Sequence, residues 1–201
     1  MNYLVKISLS LLMVILGAFS LATNAYADGA KRVLIVMSSE SAMGISGKIT
    51  GTWFEEVATP YYDLRKSGYE VIIASLNGGD APIDLLSMQA PFTTANTEKF
   101  AKDAVAMHAL QNTHKLSEIN HNDFDALFFP SGYGLLWDDD ELDLSRHLLF
   151  SLEDMLKARG ANYQGTKVNW EAHIEIDGPL MTEQNPASAL VLAKALAKRL
   201  N

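Results

Sequence analysis

The chain has 201 residues, of which 48% are hydrophobic and 20% are charged, and this fits one globular domain better than two. Its 24 acidic and 16 basic side chains give a formal net charge of −8, without the local basic cluster that nucleic-acid binding requires. The chain contains no cysteine. Disulfides, thiolate metal sites, iron–sulfur ligation and a cysteine nucleophile are therefore excluded for this chain.

Residues 1–27 have the layout of an export signal. One basic residue, Lys6, precedes the apolar stretch 7–22, and Ala25-Tyr26-Ala27 supplies the small residues of a cleavage site. Polar residues rather than a basic stop-transfer cluster follow, so removal is favoured over membrane anchoring. We expect a single mature domain spanning residues 28–201, periplasmic or secreted, with no membrane attachment after cleavage.

The first predicted elements form a strand–helix–strand unit. Residues 33–37 are a continuous apolar run, which is typical of a strand buried on both faces of a parallel sheet. A loop rich in serine and glycine separates this strand from a predicted helix at 52–66, which contains Pro60. A second buried strand is predicted at 70–75.

The alternation of strands and helices continues with a predicted helix at 98–111 and a third buried strand at 125–129. It predicts a flavodoxin-like, doubly wound α/β fold, whose ligands bind beyond the carboxyl ends of the strands. After a turn at 130–134 the alternation is interrupted, because no buried strand precedes the next predicted helix. The last predicted elements are that helix at 148–159, strands at 172–176 and 180–181, and a helix at 187–200.

Several motifs occur in a particular order along the chain. They are Thr50-Gly51-Thr52-Trp53-Phe54-Glu55-Glu56, Pro60-Tyr61, Pro82-Ile83-Asp84, Asp123-Phe124-Asp125-Ala126-Leu127-Phe128, Asp177-Gly178 and Gln184-Asn185-Pro186-Ala187-Ser188. In this order they resemble the ThiJ/PfpI superfamily, and within it the branch with glyoxalase III-type enzymes and stress chaperones. The resemblance implies a class I glutamine amidotransferase-like fold that is commonly dimeric and needs no cofactor.

The resemblance implies one site residue and one missing residue. Glu56 matches the glutamate that lies beside the catalytic cysteine of the relatives, but the cysteine has no counterpart. The strand that carries it is also absent, so we expect the fold to lack one central strand–elbow–helix segment. The family's Gly-Gly-His-Gly turn reads Ser131-Gly132-Tyr133-Gly134 here, and Glu183 stands where a glycine is expected.

The family enzymes convert methylglyoxal to lactate, or remove early glycation adducts, through a thiolate that adds to the aldehyde carbon. Without sulfur this adduct cannot form, so we expect no glyoxalase III-type activity. Glu56 is interpreted as a relict acid–base group rather than a solvated helix residue. Ser131, Gly132, Tyr133 and Gly134 form either a relict anion-binding turn or a purely structural one.

Two other functions remain open at this point. A holdase-type chaperone would capture unfolded protein on the apolar surface that the missing strand leaves exposed. A residual enzyme would use Glu56 as a base. The partners implied are a small aldehyde or unfolded protein, and a second copy that covers the gap in a homodimer.

Metal binding is not expected. His114 and His121 precede Asp123 and Asp125, but this spacing fits no standard metal-binding arrangement. The acidic run at 138–141 lacks the glycine and the final glutamate of a calcium loop. We therefore expect ordinary surface or packing roles for these side chains, and neither a metal nor a cofactor.

Overall fold

A computed structural model of the chain describes residues 29–43, 48–132, 156–168 and 170–201. Four parallel strands form its central sheet: β1 (Arg32–Met37), β2 (Glu70–Ser75), β3 (His114–Lys115) and β4 (Ala126–Phe128). The order across the sheet is β3-β2-β1-β4. Strands β1 and β2 agree with the predicted ones, whereas β3 was not predicted, because two exposed polar residues carry no periodic signal.

Strand β1 is buried on both faces, as its continuous apolar run predicts. Val33 and Ile35 belong to the main core cluster, on the face that the helices cover. Leu34 and Val36 point to the opposite face, where Ile119 and Phe124 pack against them. The sheet with flanking helices confirms the predicted α/β fold class.

The first helix, α1 (Glu55–Lys66), begins three residues later than predicted. Thr52 instead forms an isolated parallel bridge with Ile83, so the helical pattern of the sequence extends into a segment that pairs as a strand. Pro60 lies inside the helix, as predicted. Val57, Ala58 and other residues of the buried face of α1 pack on the sheet.

The single helix predicted at 98–111 is wrong, because two helices occupy this region. They are α2 (Ala95–Lys102) and α3 (Ala104–Gln111). Asp103 separates them with a backbone ψ of 104°, and its Oδ1 accepts hydrogen bonds from the N–H groups of Val105 and Ala106 at 3.0 and 3.2 Å. The side chain of Asp103 therefore caps the second helix and ends the first.

The C-terminal part contains an antiparallel hairpin and a helix. Strands β5 (Ile174–Asp177) and β6 (Leu180–Glu183) pair with each other. Strand β5 begins two residues later and ends one residue later than predicted, and β6 extends two residues beyond its predicted end. Helix α4 (Ala189–Leu200) packs against α1. The hydroxyl of Tyr69 donates to the carbonyl of Ala197 at 2.8 Å and thereby ties α4 to the start of β2.

Some predictions fall on residues outside the described ranges. They are the export signal at 1–27, Tyr133, Gly134, the acidic run at 138–141 and most of the helix at 148–159, of which residues 156–158 are helical. Across the described ranges, no helix combines the length and the apolar character needed to cross a membrane.

Candidate functional site

Three loop segments meet at the carboxyl ends of β1 and β4. The N–H of Trp53 donates to the carbonyl of Ser131 at 3.0 Å, and the N–H of Thr52 donates to that of Pro82 at 3.0 Å. Gly132 has a φ of +154°, and a Cβ there would lie 2.5 Å from the carbonyl oxygen of Gly51. Only glycine allows this approach, so Gly132 has a structural reason to be glycine.

Glu56 lies in the first turn of α1 and is fully buried. Its Oε2 accepts a hydrogen bond from the backbone N–H of Ser131 at 2.5 Å. Its Oε1 is buried without a hydrogen-bond partner among the described residues. The carboxyl group of Glu56 therefore has one oxygen committed to the backbone and one oxygen available for a further hydrogen bond.

Burial raises the pKa of Glu56, because a carboxylate in the protein interior loses its hydration. Hydrogen bonding from Ser131 acts in the opposite direction and the negative charge of Glu55 adds a smaller increase. A protonated carboxyl group can donate one hydrogen bond while it accepts another. Glu56 can thus accept the Ser131 N–H and donate from its second oxygen.

The neighbouring Glu55 makes different contacts. Its Oε1 accepts from the hydroxyl of Thr59 at 2.6 Å, and its Oε2 accepts from the hydroxyl of Thr94 at 2.5 Å. Thr94 is the N-cap of α2. Glu55 therefore joins the first two helices, and of the two consecutive glutamates only Glu56 reaches the segment after β4.

Glu183, at the end of β6, is a second carboxyl group at this site. Both of its carboxyl oxygens are buried and have no hydrogen-bond partner among the described residues. Burial and, to a smaller extent, the negative charge of Glu56 raise the pKa of Glu183 to about 8. We call Glu56 and Glu183 the carboxyl pair. From the sequence, Glu183 was noted only as a departure from the expected glycine, although an acidic residue at that position could have indicated a member of the site.

The predicted turn residues are only partly described. Ser131 is exposed, but its backbone is engaged in the site. Its N–H donates to Glu56, and its carbonyl accepts from the N–H of Trp53. Gly132 lies directly against residues 51–53. Tyr133 and Gly134 lie outside the described residues, so their predicted part in an anion-binding turn remains a prediction.

A cavity of about 560 Å³ runs along β4 and reaches Glu183, and Glu56 is not among the residues that line it. Ser131 and Glu183 line it at the carboxyl end of the strand, and Arg199 and Leu200 line it at the other end. Its walls are mostly apolar: Leu127, Phe128, Leu180, Met181, Leu192 and Leu196. Its size is within the range of small-ligand sites.

The histidine–aspartate segment contains structural contacts. Asp125 accepts the N–H of Arg32 at 2.8 Å through Oδ2, and the side chain of Asn120 donates to Asp123 at 3.2 Å. Within the described ranges, no three histidine or acidic side chains are grouped so that they could hold a metal ion.

Comparisons with known proteins show which proteins the chain is similar to. Glyoxalase 3 of Candida albicans is 31% identical over 110 residues, which cover 53% of this chain and 46% of that protein. Rapid Encystment Protein 24 kDa of Francisella tularensis has a solved structure that matches with a TM-score of 0.75 and 26% identity, over 85% of this chain and 99% of that chain. No family model matches the chain.

Two further solved structures show the same fold. The ThiJ/PfpI domain protein of Brachyspira murdochii matches with a TM-score of 0.51 and 20% identity, over 86% of this chain and 98% of that chain. Glyoxalase III of Candida albicans matches with a TM-score of 0.72 and 21% identity, over 84% of this chain and 96% of that chain. In fold, and over 110 residues in sequence, the chain is similar to these proteins, which supports the ThiJ/PfpI superfamily.

These similarities support the resemblance inferred from the motifs and the relation to glyoxalase III. The matched part spans about half the length of the curated ThiJ/PfpI relative. The absence of a central strand–elbow–helix segment stays a prediction.

Proposed function

We propose that this ThiJ/PfpI protein binds a small carbonyl compound at the carboxyl pair and does not carry out thiol-dependent glyoxalase chemistry. The observation that carries the proposal is that the chain has no cysteine, while Glu56 remains fully buried with one oxygen unpartnered. A protonated Glu56 can donate a hydrogen bond to a carbonyl oxygen. Ser131 and Glu183 line the adjoining cavity, which supplies a route to the pair.

Catalysis by the family route requires a hemithioacetal, in which a sulfur–carbon bond forms to the aldehyde carbon before a proton moves between the two adjacent carbons. No atom of this chain can form that bond. Ser131 does not replace the thiol, because its hydroxyl needs a positioned base, and burial favours the protonated form of the neighbouring Glu56, which cannot accept that proton.

The test combines turnover with binding. Purified protein is incubated with methylglyoxal, lactate is measured enzymatically, and binding is followed by calorimetry for the wild type, Glu56→Gln and Glu98→Gln. Glu98 is an exposed glutamate of α2 and serves as the matched control. We expect no lactate above the buffer rate. Binding should persist in Glu56→Gln, because its amide also accepts the Ser131 N–H and donates, and should weaken in a further variant, Glu56→Leu, which can do neither. Lactate production lost only in Glu56→Gln would instead identify a residual enzyme.

A holdase-type chaperone is the second candidate, because large apolar side chains are exposed near the cavity. The exposed fractions are 46% for Leu127, 57% for Phe129 and 62% for Leu180. Suppression of client aggregation at equimolar protein, lost in the double variant Phe129→Ser and Leu180→Ser, would support this function. Client aggregation that the wild-type protein leaves unchanged would exclude the chaperone function.

We further propose export and self-association. The layout of residues 1–27 and the family resemblance support them, as does the edge of β4 to which no strand of the described residues pairs. The same edge, with the cavity beside it, supports the proposed absence of a central segment. N-terminal sequencing of the expressed protein tests cleavage after Ala27, and size-exclusion chromatography tests the homodimer. A compact monomer that keeps residues 1–27 would contradict both proposals.

A further inference from the structure

The loop that follows β2 contains the one Asn-Gly pair of the sequence, Asn77-Gly78. A backbone nitrogen reaches the side-chain amide of a preceding asparagine most readily when it belongs to glycine, because glycine has no side chain to obstruct the approach. Asn77 is exposed, so water has access to the pair. The loop therefore brings together an electrophilic amide carbon, a backbone nucleophile and solvent.

The side chain of Asn77 differs from those of the other asparagines in the part of the chain that the structure describes. There, every other asparagine engages its side-chain amide in a hydrogen bond, as Asn112 and Asn120 do. Asn77 instead uses its backbone N–H, which donates to Oγ of Ser39 at 2.9 Å. No hydrogen bond to a described residue holds its carboxamide away from Gly78.

The attacking nitrogen, that of Gly78, is weakly engaged. Its N–H donates to the carbonyl of Ser75 at 3.3 Å, which is beyond the usual range of such a bond. Gly78 and Gly79 both have a positive φ, of 74° and 77°. Gly79 is held firmly, because it exchanges two backbone hydrogen bonds with Thr113 at 3.0 and 2.9 Å.

We propose that Asn77 is a site of spontaneous deamidation in the folded protein. The nitrogen of Gly78 attacks Cγ of Asn77, the new N–Cγ bond closes a five-membered succinimide, and the Cγ–Nδ2 bond breaks. Ammonia leaves with the proton of the Gly78 amide. Water then opens the ring at one of its two carbonyl carbons and gives aspartate or isoaspartate. This inference is independent of the ligand proposed above.

Both products alter the loop. Each adds a negative charge to a chain whose formal net charge is already −8. Isoaspartate also lengthens the main chain by one carbon, between the N–H that Ser39 binds and Gly79, which Thr113 binds on both sides. A Cβ on Gly78 would lie 3.1 Å from the backbone nitrogen of Lys115, so the loop packs closely against β3. The isoaspartate form should therefore unfold at a lower urea concentration than the aspartate form.

The test incubates the full protein in mildly alkaline buffer, locates deamidation by peptide mass spectrometry and detects the added charge by anion exchange. We expect Asn77 to react about tenfold faster than Asn112 or more, because Asn112 is also exposed but donates to the carbonyl of His108 and precedes a threonine. Asn77→Gln should abolish the acidic species, since glutamine has to close a larger ring. Asn112→Gln is the matched control and should accumulate them as the wild type does.

A parallel incubation in urea separates the effect of the fold from that of the sequence. Deamidation of Asn77 only in urea, a native rate no greater than that of Asn112, or acidic species that persist in Asn77→Gln would each overturn the proposal. Electron-transfer fragmentation distinguishes the two products. The urea midpoint of the isoaspartate fraction is compared with that of Asn77→Asp, which carries the charge without the extra carbon. Equal midpoints would overturn the predicted effect on the loop.

Discussion

The carboxylate Oε2 of Glu56 accepts the backbone N–H of Ser131 across 75 residues of sequence. This contact joins the first turn of α1 to the segment that leaves β4, and both meet at the carboxyl edge of the sheet. The site is therefore built by elements that are distant in the chain, and its geometry depends on a buried acid.

Replacement of Glu56 by alanine should destabilise the fold. The Ser131 N–H loses its acceptor and a cavity replaces the carboxyl group, so we expect a loss of about 2–4 kcal/mol. Glu56→Gln keeps a carbonyl oxygen for the Ser131 N–H and should cost about 1 kcal/mol or less. Urea denaturation monitored by circular dichroism measures both values. Equal stability of the alanine variant and the wild type would show that the contact is not formed in solution.

Stability should fall as the pH rises through the range set by Glu183. Its pKa is about 8 in the fold, above the ordinary value of 4.5, so the folded state holds a proton that the unfolded state has lost. The contribution of protonated Glu183 to the free energy of unfolding is fully present below pH 4.5. It is lost progressively as the pH rises to about 8, by at most about 1.4 kcal/mol for each pH unit.

The variant Glu183→Gln should remove this pH dependence. Its free energy of unfolding, relative to the wild type, should increase between pH 4.5 and pH 8, because glutamine has no proton to lose. Exposed Glu98→Gln is the control and should follow the wild type. Urea denaturation at several pH values measures the free energy of unfolding. If this free energy changes with pH in the same way for Glu183→Gln and the wild type, Glu183 is not buried with Glu56.

Alanine at Gly132 should disrupt the junction of the three loop segments. Its Cβ would lie 2.5 Å from the carbonyl oxygen of Gly51 and 2.7 Å from the Cα of Thr52, both of them backbone atoms. We expect a loss of about 3 kcal/mol or more. Gly178→Ala separates this clash from backbone strain, because Gly178 also has a positive φ but no atom within 4 Å of an added Cβ. It should cost about 1 kcal/mol. Similar losses at both positions, measured by thermal denaturation, would refute the close approach.

Asp103 should contribute more to the stability of the fold than an ordinary surface aspartate. Its carboxylate caps α3 and accepts the hydroxyl of Tyr62 at 3.0 Å, so Asp103→Ala should cost about 1–2 kcal/mol. Asp80→Ala, at an exposed turn, is the control and should cost about 0.5 kcal/mol or less. Equal midpoints in urea for the two variants would argue against the break between α2 and α3.

Strands β1 and β2 could be predicted because each is a continuous apolar run, which is typical of a strand in a buried parallel sheet. The break at Asp103 was missed, since apolar spacing continues across it and a capping aspartate has the same sequence signature as an exposed helical one. Strand β3 was missed because its pairing depends on the edge of β2 rather than on its own side chains.

The site was predictable only in part. Glu56 was found through the motif around it, but its pairing with Ser131 depends on tertiary contacts between distant segments. Glu183 was missed as a member of the pair, because no local pattern shows that its carboxyl group is buried within reach of the charge of Glu56. Its substitution for a glycine was the available signal.

The most direct test of the central claim is lactate formation from methylglyoxal by the purified protein. The absence of a cysteine thiol predicts a rate equal to that of buffer, in the presence of a native circular dichroism spectrum and of binding that depends on Glu56. Turnover above the buffer rate that disappears in Glu56→Gln and persists in Glu98→Gln would contradict the account.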